Sequence, residues 1–286
     1  MPALVTPFAG ESVDYETLDA LVEWQIESGS AGIVPCGTTG ESPTLSLDEH
    51  HDVVRRVVTQ VAGRIPVIAG AGSNDTATGR AHIREAADAG ADAVLVITPY
   101  YNRPDQAGIY AHFSAIAEAS DLPVILYNVP GRTVSDVLPD TVAKLATIPN
   151  IVAIKDASGD VTRVTQAMAS CPDDFTVLSG ADELTLPMML LGARGAISVT
   201  ANVAPHLCAD MMIACRDARW AEARALHDRL YPLHMAMFAS PSPAPVKYAM
   251  KRLGRLPADG VRLPMVDCDA DARRAIDAAL AHAGLA

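Results

Sequence analysis

Lysine is among the residues least often fully buried, yet Lys155 sits inside the apolar run IVAIKDAS, residues 151–158. It is one of only four lysines, with Lys144, Lys247 and Lys251. Those three fall in helix-like segments, where a lysine stem can cover apolar surface while its amine stays in water. A lysine on a strand that lines an interior has no such escape. An ion pair with Asp156 is the structural alternative, but neighbours on a strand point to opposite faces. The chemical reading is a Schiff-base lysine. At an ordinary pKa of about 10.4, only about one amine in a few thousand is neutral at pH 7. Burial among apolar groups favours the neutral, nucleophilic form. The resulting iminium is an electron sink that stabilises an adjacent carbanion or enamine. That suits making or breaking a carbon–carbon bond next to a ketone.

Other stretches could serve such a lysine. In CGTTGES, residues 36–42, Gly37 and Gly40 flank Thr38 and Thr39. A loop of this kind can offer backbone N–H groups and two hydroxyls to a carboxylate, or it can be an ordinary strand-to-helix loop. Tyr127 ends the run PVILYNVP, and Tyr100 and Tyr101 follow AVLVITP. A tyrosine near a lysine can shuttle protons, and threonine hydroxyls can extend the relay; rim packing is the plain alternative. Arg132, in PGRT, could hold a carboxylate or lie free on the surface. Asp182 and Glu183 read as the first turn of a helix. The pair His50–His51 suggests a metal, but adjacent helix residues do not face each other and no H-x-H or H-E-x-x-H spacing occurs. No metal site is expected.

The elements that must position these residues are legible. Eight strand-like runs begin near residues 3, 32, 66, 93, 123, 151, 176 and 195. Amphipathic stretches such as DYETLDALVEWQIESG separate them. Continuous apolarity in the runs indicates strands covered on both faces, as in parallel sheets. Eight β-α units in 286 residues predict an α/β fold, a closed (β/α)8 TIM barrel over residues 1–218. An open doubly wound sheet is the alternative, but VTPFAGESVD lacks its glycine turn. From Arg219 onward three helix-like segments predict a C-terminal helical extension, residues 219–286, with SPSPAP as a rigid turn between two of them. In a barrel the chemistry sits at the C-terminal strand ends. There the runs end in CGTTGES, TPYYNRP, YNVPGRT, SGADE and ISVTAN.

Composition narrows the partners. A net charge of −12 argues against nucleic acid and against an anionic membrane surface. It does not exclude an anionic substrate, because local cations set the field in a cleft. Five cysteines without a C-x-x-C pair predict reduced thiols in a cytoplasmic protein. No signal peptide or transmembrane segment is expected, since Met1 runs abruptly into the first strand-like stretch.

Taken together, GTTGES, YNVPGRT, IKDASGD and PAPVKYAMKRLG resemble the dihydrodipicolinate synthase family. This is a branch of the class I pyruvate-dependent aldolases that also includes the N-acetylneuraminate lyases. The resemblance covers essentially the whole chain, with the motifs in order. It implies condensation of pyruvate with L-aspartate 4-semialdehyde to 4-hydroxy-tetrahydrodipicolinate, in lysine and diaminopimelate biosynthesis. No cofactor is implied beyond a covalent pyruvate imine on Lys155. Tyr127 would move protons, and Thr38 would link it to Tyr101 of a neighbouring subunit. Thr39, with Thr38, would bind the pyruvate carboxylate, and Ile197 would contact it through its main chain. Arg132 would hold the aldehyde substrate's carboxylate, and Gly180 would shape the pocket. A homotetramer, a dimer of dimers, is implied.

Arginine in GRT and the double threonine favour the synthase over the sialic acid and sugar-acid lyases. A related aldolase acting on another 2-oxo acid is the nearest alternative, and a catalytically silent barrel is the more distant one. Two departures stand out. Lysine-inhibited members carry a histidine, an asparagine and a glutamate where this chain has Leu47, Asn74 and Thr78, although His50 and Tyr100 remain. Feedback by lysine is therefore expected to be weak or absent. Ser240 stands where the family often has asparagine, which bears on the choice of aldehyde.

Overall fold

The structure, a computed structural model, describes residues 1–286. The chain forms two compact units, residues 1–67 with 198–286, and residues 68–197.

The unit of residues 68–197 is built on a parallel sheet. Its strands, Ile68–Gly70, Ala93–Ile97, Val124–Asn128, Ile151–Asp156 and Thr176–Ser179, lie side by side in chain order. Val124–Asn128 is buried at every position, as continuous apolarity requires when both faces are covered. Helices Thr76–Asp88 and Gln106–Ala117 begin on Asp75 and Asp105, whose side chains accept from the N–H groups of Thr78 and Gly108. These caps satisfy donors that the first helical turn leaves unpaired. Asp182–Leu184 forms a 3-10 turn leading into helix Thr185–Leu190, as the acidic pair predicts.

One register shift matters for the chemistry. Val124 pairs with Ile151, but Ile125 pairs with Ala153, so Val152 is an extra, exposed residue. A one-residue slip moves every later side chain to the other face. Beyond the bulge Tyr127 stands opposite Lys155, and Asn128 opposite Asp156.

In the other unit, strand-like runs meet through single bridges: Ala3 with Val34, Pro2 with Ser198, and Ile33 with Val67. Pro2 and Pro66 explain the short ladders. Each accepts through its carbonyl, from Val34 N–H at 3.0 Å and Ile33 N–H at 2.9 Å, but has no N–H to continue the pairing. Thus five of the eight expected runs form regular strands, and three contribute bridges. Buried Asn202 substitutes for missing ladder bonds. Its amide accepts from Val5 N–H at 3.0 Å and donates to Ala3 O at 2.8 Å. Helices Tyr15–Glu27 and Leu47–Val61 belong to this unit, as do Pro205–Arg216, Trp220–Ala236, Ala244–Arg252 and Ala270–His282. No helix is long and apolar enough to cross a membrane.

Candidate active site

Lys155 is only 4% exposed. It forms no ion pair. Asp156 is turned to the opposite face, where Ser158 and Asn128 donate to it. The Lys155 amine instead lies 4.0 Å from the centre of the Tyr127 ring. Tyr127 is held from behind: its carbonyl accepts from the N–H of Thr98 at 2.9 Å and from its hydroxyl at 3.0 Å. The Tyr127 hydroxyl itself bonds to no group of the protein.

Gly180 closes against this pair. A Cβ there would lie 3.0 Å from Lys155 Cε, 2.9 Å from Ala157 Cβ and 3.1 Å from Asp156 O. Only glycine fits without moving the lysine stem. Gly180→Ala is therefore expected to cost about 1–3 kcal/mol of stability through overpacking. It should also lower kcat, by up to about 100-fold, because the added methyl displaces the lysine stem. Thermal melts and steady-state kinetics read both. Ile197, buried beside Ser179, spends its N–H on Ser179 O at 2.9 Å, which leaves its main chain no donor for an anion.

Two further candidates lie on turns of the same unit. Arg132 is exposed on the four-residue helix Pro130–Thr133 and pairs with no carboxylate. Tyr101 is 88% exposed, and its φ of 72° is unusual for a bulky side chain. Neighbouring bonds hold that conformation: Asn102 N–H and Asn74 Nδ2 both donate to Tyr100 O, and Asn102 Nδ2 donates to Asn74 O.

In the first unit the loop Gly37–Glu41 turns on itself, with Gly40 N–H donating to Gly37 O and Glu41 N–H to Thr38 O. A Cβ on Gly40 would meet Leu4 O at 2.9 Å, which explains that glycine. The N–H groups and hydroxyls of Thr38 and Thr39 donate to no protein group, the arrangement an anion-binding loop needs.

Lys247 corrects an expectation. Its amine does not reach water but lies 2.5 Å from Glu41 Oε1, with the residue 0% exposed. It donates to Gly260 O at 3.0 Å and sits 4.0 Å from the centre of the Phe8 ring. Burial pulls the Lys247 amine down, and Glu41 partly offsets this. The helix face carrying Val246, Ala249 and Met250 is buried, and Lys247 goes in with it. Beside it Arg262 donates its N–H to Glu41 Oε2 and forms a bidentate pair with Glu49. The bond from Arg262 draws the Glu49 carboxyl down to about 2, against its partial burial.

The family model described as "Dihydrodipicolinate synthetase family" matches residues 1–283. The chain belongs to this family. Its relatives include the 4-hydroxy-tetrahydrodipicolinate synthase of Sphingopyxis alaskensis, 55% identical over all of this chain and 98% of the relative. That of Novosphingobium aromaticivorans is 56% identical, over all of this chain and 97% of the relative. Among solved structures, dihydrodipicolinate synthase from Aquifex aeolicus is 41% identical with a TM-score of 0.97, over 99% of this chain and 97% of that one. The chloride-inhibited enzyme from Acinetobacter baumannii, solved with pyruvate, is 44% identical with a TM-score of 0.96 and the same coverage. The fold is accordingly the family's α/β barrel with a C-terminal helical part.

Three supports of these residues are not legible in the sequence alone. Thr98 carries no motif signal, and its bonds to Tyr127 O depend on the packing of two strands. Glu41 is visible in GTTGE, but its partners Lys247 and Arg262 lie far along the chain. Asn128 and Asp156 sit next to Tyr127 and Lys155, but their pairing with each other needs the register of the sheet.

Proposed function

We infer that the protein condenses pyruvate with L-aspartate 4-semialdehyde to give 4-hydroxy-tetrahydrodipicolinate, as a lyase of the class I aldolase type. The observation that carries this is Lys155. It is buried, free of any carboxylate and seated between Tyr127 and Gly180, in a chain 55% identical to named synthases. The Lys155 amine attacks the ketone carbon of pyruvate and water leaves, forming the iminium. Loss of a methyl proton gives the enamine, whose carbon attacks the aldehyde of the second substrate; the amino group of that substrate then attacks the regenerated iminium carbon, closing the ring and expelling the Lys155 amine. No cofactor takes part in these steps. Tyr127, with an unengaged hydroxyl, moves the protons.

The remaining roles belong to the same proposal. Thr39 and Thr38 receive the pyruvate carboxylate, Ile197 lines the pyruvate pocket with its main chain, and Thr38 passes protons onward. Tyr101, exposed and held at φ 72°, is offered to the site of a neighbouring copy in a homotetramer built as a dimer of dimers. One solved relative, 38% identical, is described as a monomeric variant, so the assembly of this chain is open to direct measurement by analytical ultracentrifugation. The barrel spans residues 1–218 and the helical extension residues 219–286, in a cytoplasmic enzyme.

Borohydride reduction in the presence of pyruvate, followed by peptide mass spectrometry, tests the mechanism. The adduct belongs on the peptide containing Lys155, and its absence there sinks the Schiff-base reading. Arg132→Ala should raise the KM for aspartate semialdehyde by about 10–100-fold, the worth of a charge-assisted bond of about 1.5–3 kcal/mol. The KM for pyruvate should change less than about threefold. Equal damage to both would remove the assigned role of Arg132.

Lysine should inhibit weakly or not at all. Thr78 brings no carboxylate for an α-amino group, and its hydroxyl is already committed to Asp75 at 2.6 Å. Half-inhibition below about 1 mM, an affinity of about 4 kcal/mol, would contradict this.

A further inference from the structure

We propose that Asn128, Asp136 and Arg163 form a positioning clamp that holds the Tyr127 and Lys155 strand ends and the Arg132 turn in one geometry. The inference rests on the Schiff-base reading of Lys155. None of the three touches the reacting groups; each acts through the backbone next to one.

Asn128 and Asp156 are cross-strand partners one residue beyond Tyr127 and Lys155, on the opposite face. The Asn128 side chain is fully buried. Its Nδ2 donates to Asp136 Oδ1 at 2.8 Å and, at 3.4 Å, to Asp156 Oδ2, while its Oδ1 accepts from Val137 N–H at 3.1 Å. A carboxylate cannot donate, and a hydroxyl offers a single proton to two carboxylates; an amide meets all three demands at once. Arg163 closes the cluster. It holds Asp136 through two bonds of 2.8 and 2.6 Å, donates to Val137 O at 3.1 Å and lies 3.9 Å from Asp156 Oδ2.

These bonds tie four elements together: the two strand ends, the Arg132 turn and helix Thr162–Ser170, which carries Arg163. The chain leaves Asn128, carries Arg132 over its turn and returns at Asp136 and Val137 to the Asn128 amide. The turn is thus a loop clasped at its base, and Thr133, whose hydroxyl donates to Ser135 O at 2.7 Å, braces it inside. On the other side, Asp156 O accepts from Gly180 N–H at 2.7 Å, which brings the glycine against the Lys155 stem. Two carboxylates face one guanidinium, so removing the guanidinium leaves like charges together beneath the site and frees the turn.

The test uses full-length Arg163→Ala, Arg163→Lys and Asp136→Asn. Circular dichroism and melting first establish which variants are folded. In folded Arg163→Ala, kcat/KM for aspartate semialdehyde should fall about 30-fold or more, and borohydride capture of pyruvate on Lys155 should slow by about tenfold. Arg163→Lys keeps the charge and should recover to within about fivefold of the parent protein. Asp136→Asn keeps the shape and should lie between. If Arg163→Ala does not fold, Asp136→Asn carries the test. A folded variant that loses melting temperature but stays within about threefold of the parent in both kinetic readouts overturns the clamp. Failure of the parent protein itself to form the Lys155 adduct instead removes the reading on which the clamp rests.

Discussion

Lys155→Ala abolishes covalent capture of pyruvate and lowers kcat by about four orders of magnitude or more, as expected when a covalent nucleophile is removed. Lys155→Arg does the same. That second variant separates chemistry from packing. Arginine is of similar length and bulk and can occupy the space beside the Tyr127 ring, 4.0 Å from the lysine amine, but a guanidinium does not lose its proton in a protein and cannot form the imine. Both variants should keep a native circular dichroism spectrum, because Lys155 has no salt bridge whose loss would strand a buried carboxylate. Activity retained in Lys155→Arg, measured with both substrates, would show that the lysine serves only as a cation.

Lys247→Met destabilises the protein by about 3–5 kcal/mol, the cost of stripping a buried charge of its partner. Melting temperature should fall by about 10 °C for a chain of this size. The carboxylate left behind belongs to Glu41, whose side chain is 2% exposed. Glu41 also holds a left-handed conformation, φ 57°, directly after the Thr38–Thr39 turn. Its displacement should therefore reach that turn and raise the KM for pyruvate. Removing both charges, in Lys247→Met with Glu41→Gln, should restore at least half of the lost stability, because a neutral pair carries no stranded ion. If the single variant melts with the parent protein, water or Arg262 already compensates Glu41, and the pair contributes nothing.

Lys155 and Lys247 also mark the boundary of what residue patterns convey. Both lie in apolar surroundings. Lys155 reads as buried because a strand with continuous apolarity has no wet face. Lys247 reads as solvated because a helix ordinarily has one. Its helix turns that face inward against Phe8 and Glu41. Val152 is a second case. IVAIKD reads as a uniform strand, and nothing in it announces that Val152 is bulged out. Yet that one extra residue determines whether Lys155 faces Tyr127 or points away from it.

The sequence by itself determined the α/β architecture and the family, and it singled out Lys155 and the groups proposed to serve it. These rest on continuous apolar runs, on amphipathic helical stretches, on composition and on motifs, all of which are local along the chain. Only the tertiary structure decided how those groups are held. Asn128 meets Asp156 across 28 residues of chain, and Arg262 meets Glu41 across 221. Such pairings depend on register and packing, where a shift of a single residue reverses a side chain's direction without changing any local pattern.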